Sequence, residues 1–276
     1  MPCCISCFCS AMIGLMRAVL FGLLVSALAL AGEPLRPVKK IVLFNGRDLS
    51  NFYVFLKDTG REDPRRVFTV QGGLLRISGE AWGGLTTERE YADYRLVVEW
   101  KWGAKTWPPR ERNARDSGIL LHGTGEDGAA GNGWLESIEY QIIEGGTGDL
   151  ILVRGAARPR VTVEAEKRAD GQLYWKPGAE RITRDQGRIN WFGRDPNWQD
   201  RLGFRGASDV EKPVGEWNRS EIFARGGDLT FYLNGRIVNQ AFDSSHRQGK
   251  IQIQSEGAEI FIRKIELHPL PRSLQR

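Results

Sequence analysis

Carboxylate, amide and imidazole side chains alternate with apolar residues in four segments of the sequence, and this spacing could bring chemistry to one surface. Side chains two residues apart in a strand share a face. Because the apolar residues of a sandwich face inward, we expect the polar ones to lie on an outer, concave face. The four polar sets are Glu99 and Lys101; His122; Glu139 and Gln141; and Gln252, Gln254 and Glu256.

A floor of this kind would suit a sugar. Sugar hydroxyls need both donors and acceptors, and tryptophan faces stack on sugar rings. Trp107 precedes two prolines, so we expect it in a loop at the rim of the floor. Polar side chains are also common on the solvent side of any antiparallel sheet, which is the alternative interpretation. The predicted substrate-binding residues are Glu99, Lys101, Gln141, Gln252, Gln254 and Trp107.

His122 is the side chain best suited to act as a general base, because an imidazole titrates near neutral pH. It ends an apolar segment just before Gly123, so a packed, hydrogen-bonded histidine is the alternative. The two other histidines, His246 and His268, lie in a loop and in the C-terminal tail, where we expect them to be exposed.

Motifs for several other chemistries are missing from the sequence. It has no Gly-x-Ser-x-Gly, no paired-histidine zinc motif and no Gly-x-Gly-x-x-Gly that follows a strand and opens a helix. All four cysteines lie within residues 3–9, so the mature chain should have no thiolate nucleophile. The loops 125–128 and 144–149 could bind a divalent cation through oxygen atoms. No cofactor is therefore predicted as required, although a divalent cation remains an option.

The first 31 residues have the form of a secretory signal peptide. Arg17 precedes an apolar run of about 13 residues, and cleavage is expected after Ala31. This run is shorter than the roughly 20 apolar residues that span a bilayer. We expect a mature chain that is exported to the periplasm or the medium and has no transmembrane segment. A net charge of +5 is too balanced for a dedicated nucleic-acid binder.

Alternation with period two dominates the remaining sequence and predicts an all-β fold. Many short strands with turn signals between them, including the hairpin signal Asn234-Gly235, favour an antiparallel β-sandwich. We place one domain at residues 41–268 and a C-terminal tail at 269–276. The segment 155–205 is polar, rich in Trp and Arg and poorly alternating, so it is predicted to be an insertion over one end or face of the sandwich.

Several short pieces of sequence follow one another in order over about residues 41–268. They include Leu43-Phe-Asn-Gly-Arg-Asp-Leu49, Asp116-Ser-Gly-Ile-Leu120, Glu139-Tyr-Gln-Ile142, Pro213-Val-Gly-Glu-Trp-Asn218 and Ile253-Gln-Ser-Glu-Gly257. With this ordered series, which is specific where no single piece is, the sequence resembles the 3-keto-disaccharide hydrolase domain family, whose fold is the concanavalin A-like jelly roll. Lys101, His122 and Glu256 stand where Arg, Arg and His are frequent in the family.

The resemblance implies action on sugars that are oxidised at C3. A C3 ketone acidifies the C2 proton, and the enolate formed by its removal can expel the glycosidic oxygen from C1. His122 could be the base, Lys101, Gln141 or a cation could stabilise the enolate, and Glu139 or Glu256 could protonate the leaving oxygen. Direct hydrolysis by Glu139 and Glu256 requires their carboxyl groups to lie about 5–9.5 Å apart.

Two other functions remain open on the same fold. A non-catalytic carbohydrate-binding module would have dispersed carboxylates and a shallow groove lined by Trp107, Trp175 or Trp191. A structural or cell-surface interaction domain would have no cleft. Convergence of His122, Glu139, Gln141 and Glu256 in one cleft would favour the enzyme.

Overall fold

The computed structural model describes residues 32–271, which form eighteen strands and no helix. Consequently no helix in this range is long and apolar enough to cross a membrane. The predicted signal peptide and residues 272–276 of the predicted tail lie outside the described residues. The last strand continues to Pro269, the first residue of the segment predicted as the tail.

Two antiparallel sheets pack face to face and confirm the predicted all-β jelly-roll sandwich. The eight-stranded sheet has the order β16-β15-β14-β6-β18-β4-β3, with β1 also paired to β18. Its strands are β1 Ile41–Phe44, β3 Phe68–Gln71, β4 Leu74–Ile77, β6 Tyr94–Thr106, β14 Asn218–Arg225, β15 Asp228–Leu233, β16 Arg236–Ala241 and β18 Ala258–Pro269. The seven-stranded sheet has the order β13-β9-β8-β7-β17-β5-β2. Its strands are β2 Phe52–Leu56, β5 Gly83–Thr87, β7 Asp116–Thr124, β8 Glu136–Ile143, β9 Leu150–Val153, β13 Gly187–Ile189 and β17 Lys250–Ser255.

The core fills the space between the two sheets, as the alternation predicts. Trp100 and Trp102 point inward from β6 and meet edge to face, with ring centroids 5.3 Å apart. Their indole nitrogens donate to Ser220 Oγ at 2.9 Å and to Glu211 Oε1 at 2.7 Å, so the buried N–H groups have partners. Residues of the opposite sheet such as Ile119 complete the core.

The Trp- and Arg-rich segment 155–205 packs along one edge of the sandwich. It forms a three-stranded sheet with the order β11-β10-β12, from β10 Val161–Lys167, β11 Leu173–Trp175 and β12 Arg181–Arg184. Thr162 of β10 bonds to Phe242, just after β16 of the eight-stranded sheet. The same segment supplies β13, which pairs with β9 of the seven-stranded sheet. The segment therefore links the edges of both sheets, and its Trp175 and Trp191 are buried.

Candidate active site

Four of the predicted residues share the outer face of the seven-stranded sheet. Gln252 and Gln254 are on β17, Glu139 and Gln141 are on β8, and β7 lies between these two strands. The cross-strand register places one continuous row of residues across six strands. That row is Thr86, Gln252, Leu120, Glu139, Ile151 and Arg188.

Asp116, Glu139 and Glu256 form a cluster of three carboxyl groups above this face. Burial, followed by the charge of Asp116, raises the pKa of Glu139 to about 8. Burial raises the pKa of Asp116 to about 6. Burial also raises the pKa of Glu256 well above its usual value, and the charges of Asp116 and Glu139 add to this shift. The three groups thus disfavour full ionisation, and a neutral carboxylic acid is present at neutral pH.

Arginine side chains keep the cluster from being wholly neutral. Arg110 Nη2 lies 3.1 Å from Asp116 Oδ2, and Gln141 Nε2 donates to Asp116 Oδ1. The charge of Arg188 lowers the pKa of all three carboxyl groups. The cluster can therefore hold a proton on one carboxyl group and a negative charge on another, as acid–base catalysis requires.

Gln254 is fully buried, yet neither of its amide atoms has a hydrogen-bond partner among residues 32–271. A methyl group on Gly118 would lie 2.2 Å from Glu139 Oε1 and 2.3 Å from Gln254 Oε1, so both side chains extend over this glycine. The amide lowers the pKa of Glu139, although the two groups do not meet hydrogen-bond geometry. An unsatisfied buried amide costs about 1–3 kcal/mol, and a bound sugar hydroxyl could offset that cost.

Substituting Gly118 with Ala should reduce the catalytic rate strongly and the free energy of unfolding only weakly. The new methyl group must displace the Glu139 carboxyl group and the Gln254 amide, and such misplacement of catalytic groups costs about 10²-fold in rate. The matched control is Gly84→Ala on β5, which is separated from β7 by β17, where the methyl group would lie 2.4 Å from Gln252 Cδ. That control should lose about 1–3 kcal/mol of unfolding free energy and keep its activity. Equal activity losses in both variants, measured beside urea unfolding, would contradict this prediction.

Gln252, predicted to bind substrate, is fully committed to the fold. Its Nε2 donates to Thr86 Oγ1 at 2.7 Å and to Gly133 O at 3.3 Å, and its Oε1 accepts from Leu135 N at 3.1 Å. The side chain is completely buried. It therefore anchors the loop between β7 and β8 over the outer face of the sheet.

Glu99 and Lys101 do not lie on the predicted floor, because β6 belongs to the eight-stranded sheet. Glu99 pairs there with Arg219 at 2.9 Å, with Arg263 at 2.7 Å and with Lys264 at 3.1 Å. Lys101 Nζ lies 5.0 Å from the ring centre of Trp217. The side chains of β6 alternate as predicted, but alternation alone does not indicate which strands are neighbours in a sheet.

His122 points into the core rather than outward with Leu120, so its predicted placement is wrong. A β-bulge between Leu121 and Thr124 reverses the alternation, and His122 has a φ of 54°. Its ring meets Tyr94 at 5.6 Å, and Nδ1 lies 2.9 Å from the carbonyl oxygen of His246. Burial lowers the pKa of His122 to about 4, which keeps the ring neutral at pH 7.

Trp107 lies half-buried in a loop that is hydrogen-bonded to Gly257, the residue after Glu256. Its amide donates to Gly257 O at 2.8 Å, and its indole Nε1 donates to Ser78 O at 2.9 Å. The prolines that follow it are joined by a cis peptide bond. The loop continues to Arg110, which reaches Asp116.

Three of the four carboxylates in the two loops considered for a cation are already paired with protein groups. Asp127 accepts from Tyr53 and Arg61, each at 2.6 Å. Glu144 pairs with Arg115 at 2.7 Å, and Asp149 pairs with Arg188 at 3.0 Å and with Arg194. Within residues 32–271, no group of three or more His, Cys, Asp and Glu side chains is arranged to hold a metal ion.

Asp116, Arg110 and Arg188 are members of the site that the sequence reasoning did not select. Asp116 could have been found, because it shares strand parity with Gly118 and Leu120. Arg110 lies in the loop after Trp107, and Arg188 lies in the segment 155–205. Their approach to the carboxyl groups depends on long-range packing that local periodicity does not describe.

Comparison with known proteins places this chain in a family. One solved structure, from Parabacteroides distasonis ATCC 8503, has 20% sequence identity to this chain and a TM-score of 0.50, with 84% of this chain and 100% of that chain covered. That protein is described only as a proposed glycosyl hydrolase. A second such structure from the same organism gives 17% identity and a TM-score of 0.49, with 84% of this chain and 94% of that chain covered. A β-glucanase of Bacillus licheniformis gives 10% identity and a TM-score of 0.43, with 84% and 99% covered.

No protein with a curated description matches the chain. A family model described as the 3-keto-alpha-glucoside-1,2-lyase-like domain matches residues 39–268 and confirms the predicted resemblance. The chain therefore belongs to the 3-keto-alpha-glucoside-1,2-lyase-like domain family.

Proposed function

We propose that this protein is an exported enzyme that cleaves glycosidic bonds in saccharides oxidised at C3. The observation that carries the proposal is the cluster of Asp116, Glu139 and Glu256, whose raised pKa values keep acid and base forms together near neutral pH. Membership in the family supports a carbohydrate substrate and points to the 3-keto form. The predicted signal sequence supports export.

In the proposed reaction, Glu256 is the base and Glu139 is the acid. Glu256 is less buried than its two partners, and Asp116 is engaged with Arg110 and Gln141. The Glu256 carboxylate takes the C2 proton, and the electron pair forms an enolate on the C3 oxygen. That enolate then expels the glycosidic oxygen from C1, leaving a C1=C2 double bond, and the leaving oxygen takes its proton from Glu139. Water can add to the unsaturated product later.

Arg188 and Gln254 are suited to stabilise the enolate oxygen. The charge of Arg188 lowers the pKa of all three carboxyl groups, so this guanidinium would also stabilise negative charge that develops on a substrate beside them. The Gln254 amide is buried and unpartnered, and it can donate a hydrogen bond without giving up another one within the described residues. No step of this scheme uses a metal ion.

The binding-module alternative is less well supported by the same residues. A binding module would have dispersed carboxylates and a groove lined by Trp107, Trp175 or Trp191. Trp175 and Trp191 are only 3% and 1% exposed, while the carboxyl groups converge. Carbohydrate binding without catalysis does not require a carboxyl group with a raised pKa such as that of Glu139.

Product analysis tests the proposal directly. Residues 32–276 are incubated with a 3-keto-glycoside and with its unoxidised parent, with and without a chelator. The expected result is cleavage of the keto sugar alone, detected as the unsaturated product or as its hydrate. Cleavage of the parent would instead indicate ordinary hydrolysis by two carboxyl groups. Binding without turnover of either compound would contradict the proposal, and loss of activity with chelator would assign a role to a cation.

The stability of the protein should fall as the pH rises from about 4.5 to 8. The folded state raises the pKa of Glu139 to about 8, so it binds more protons than the unfolded state in this window. The stabilisation is complete below the unfolded pKa and lost as the pH passes the folded pKa. Buried Glu211, whose pKa is also about 8, contributes in the same direction. Urea unfolding at several pH values should show a smaller decline in Glu139→Gln than in the wild type, and an equal decline would contradict the prediction.

A further inference from the structure

Ser245, His246 and Glu136 form a hydrogen-bonded chain that the reaction scheme above does not use. Ser245 Oγ lies 3.0 Å from His246 Nδ1, and His246 Nε2 lies 2.9 Å from Glu136 Oε1. A nucleophile within hydrogen-bond reach of a base, with the base held by a third group, is the signature of nucleophilic catalysis. Such triads are recognised by their geometry and roles rather than by their position in the sequence.

The carboxylate of Glu136 determines which nitrogen of His246 carries the hydrogen atom. An ionised carboxylate only accepts hydrogen bonds, so Nε2 carries the hydrogen and donates it to Glu136 Oε1. The lone pair of Nδ1 then faces Ser245 and accepts the hydrogen of its hydroxyl group. The imidazole is therefore oriented to act as a base toward this serine.

Neighbouring groups fix the three side chains in place. His246, which we expected to be exposed, is buried, and so is Glu136. Glu136 Oε2 accepts the amide of Ala157 at 2.8 Å. Ser245 Oγ accepts the amide of Arg160 at 2.9 Å, which leaves its own hydrogen for His246 Nδ1. Both amides belong to the Trp- and Arg-rich segment, so this segment holds the serine and the glutamate on either side of the imidazole.

A cavity of about 310 Å³ lies against the serine and the imidazole. Its volume is at the low end of the roughly 300–1,000 Å³ that ligand pockets span, so it suits a small ligand. The other lining residues are polar, namely Thr124, Arg247 and Gln248. Arg247 Nε donates to the carbonyl oxygen of Ser244 at 3.3 Å, and its Nη groups can donate to the oxyanion of a tetrahedral intermediate.

We propose that Ser245 and His246, positioned by Glu136, form a second catalytic site that hydrolyses short-chain carboxylic esters such as acetyl esters. Ser245 Oγ attacks the ester carbonyl carbon, His246 Nδ1 takes the hydroxyl proton, and Arg247 stabilises the oxyanion. The bond from the carbonyl carbon to the alcohol oxygen then breaks, and the alcohol takes the proton from His246. Water, deprotonated by His246, releases the acyl group as a carboxylic acid, and Ser245 regains its proton. This activity is independent of the proposed cleavage of 3-keto sugars.

Replacing Ser245 with Cys reports on the base without any substrate. All four cysteines lie within residues 3–9, so residues 32–276 contain none. Ser245→Cys should react with iodoacetamide at neutral pH at least about tenfold faster than the matched control Ser50→Cys, because His246 converts the thiol to a thiolate. Ser50 is likewise exposed, and its hydroxyl group donates to Asp48 at 2.6 Å. Glu136→Gln added to Ser245→Cys should lower the rate to that of the control, because the amide no longer fixes the tautomer. Equal alkylation rates of Ser245→Cys and Ser50→Cys would overturn the proposal.

Hydrolysis of 4-nitrophenyl acetate tests the catalysis itself. Wild-type residues 32–276 should form an acetyl-enzyme that mass spectrometry locates at Ser245 after an acid quench. Ser245→Ala should lose at least about 10²-fold in kcat/KM, and Ser50→Ala should behave as wild type. Urea unfolding of Ser245→Ala separates loss of the hydroxyl group from loss of the fold, since Oγ also accepts the amide of Arg160. Equal hydrolysis by wild type and a folded Ser245→Ala, or acetylation at other residues only, would overturn the proposal.

Discussion

Replacing Glu139 with Gln should reduce cleavage of a 3-keto-disaccharide by about 10²–10⁴-fold, the usual contribution of a general acid. Burial holds the pKa of Glu139 at about 8, so the wild-type group carries a proton at neutral pH. The amide keeps the shape and the neutral charge of that acid but cannot release a proton to the leaving oxygen. The variant should therefore fold normally, and its loss should appear in kcat.

The leaving group separates acid catalysis from a general structural effect. A 4-nitrophenolate leaves without protonation, so Glu139→Gln should lose less than about tenfold on a 4-nitrophenyl 3-keto-glycoside. Glu256→Gln should lose activity on both substrates, because the C2 proton must be removed in each. Exchange of the C2 proton with deuterated solvent should persist in Glu139→Gln and disappear in Glu256→Gln.

Glu221→Gln provides the matched control. Glu221 lies on the outer face of the eight-stranded sheet and pairs with Arg95 and with Arg219 at 3.0 Å. Its substitution should leave both rates unchanged. Equal losses of Glu139→Gln on the sugar and nitrophenyl substrates would contradict a role as proton donor. Loss of exchange in that variant would make Glu139 the base instead.

The fold could be predicted from the sequence because alternation and turn signals are local. The parity of Glu139 and Gln141 placed both on one face, and the same parity placed Gln254 with them. Parity cannot tell which sheet a strand joins, and for this reason Glu99 was assigned to the wrong surface. Pairing partners are set by long-range packing of the whole core.

His122 shows a second limit of the same reasoning. One extra residue in a bulge reverses the direction of every side chain that follows within the strand. The sequence Leu121-His122-Gly123 gives no clear signal for this, since a glycine after a histidine also ends ordinary strands. The polar residues on the outer face differ in their hydrogen bonds: Gln252 is bonded to the loop between β7 and β8, whereas Gln254 has no partner within the described part of the chain.

Asp149 fixes the segment 155–205 to the site, and its substitution with Asn should cost about 3–5 kcal/mol of unfolding free energy. The carboxylate is fully buried and pairs with Arg194 and, at 3.0 Å, with Arg188. It also accepts the amide of Trp191 at 2.7 Å. Burial lowers the pKa of Arg194 to about 10, and the charges of Asp116 and Asp200 oppose this shift. Removing the charge leaves the buried Arg194 and the half-buried Arg188 without the carboxylate that they share.

Asp228→Asn is the control for this loss, because its pair with Arg225 is partly exposed and such pairs contribute about 0–1 kcal/mol. Urea unfolding should separate the two variants clearly. Hydrogen exchange in Asp149→Asn should increase first at residues 187–205, where the released arginines lie. Arg188 would then no longer be held near the carboxyl cluster, so kcat should also fall under conditions in which the protein is still folded. Unfolding within about 1 kcal/mol of wild type would mean that the core, and not this ion pair, holds the segment in place.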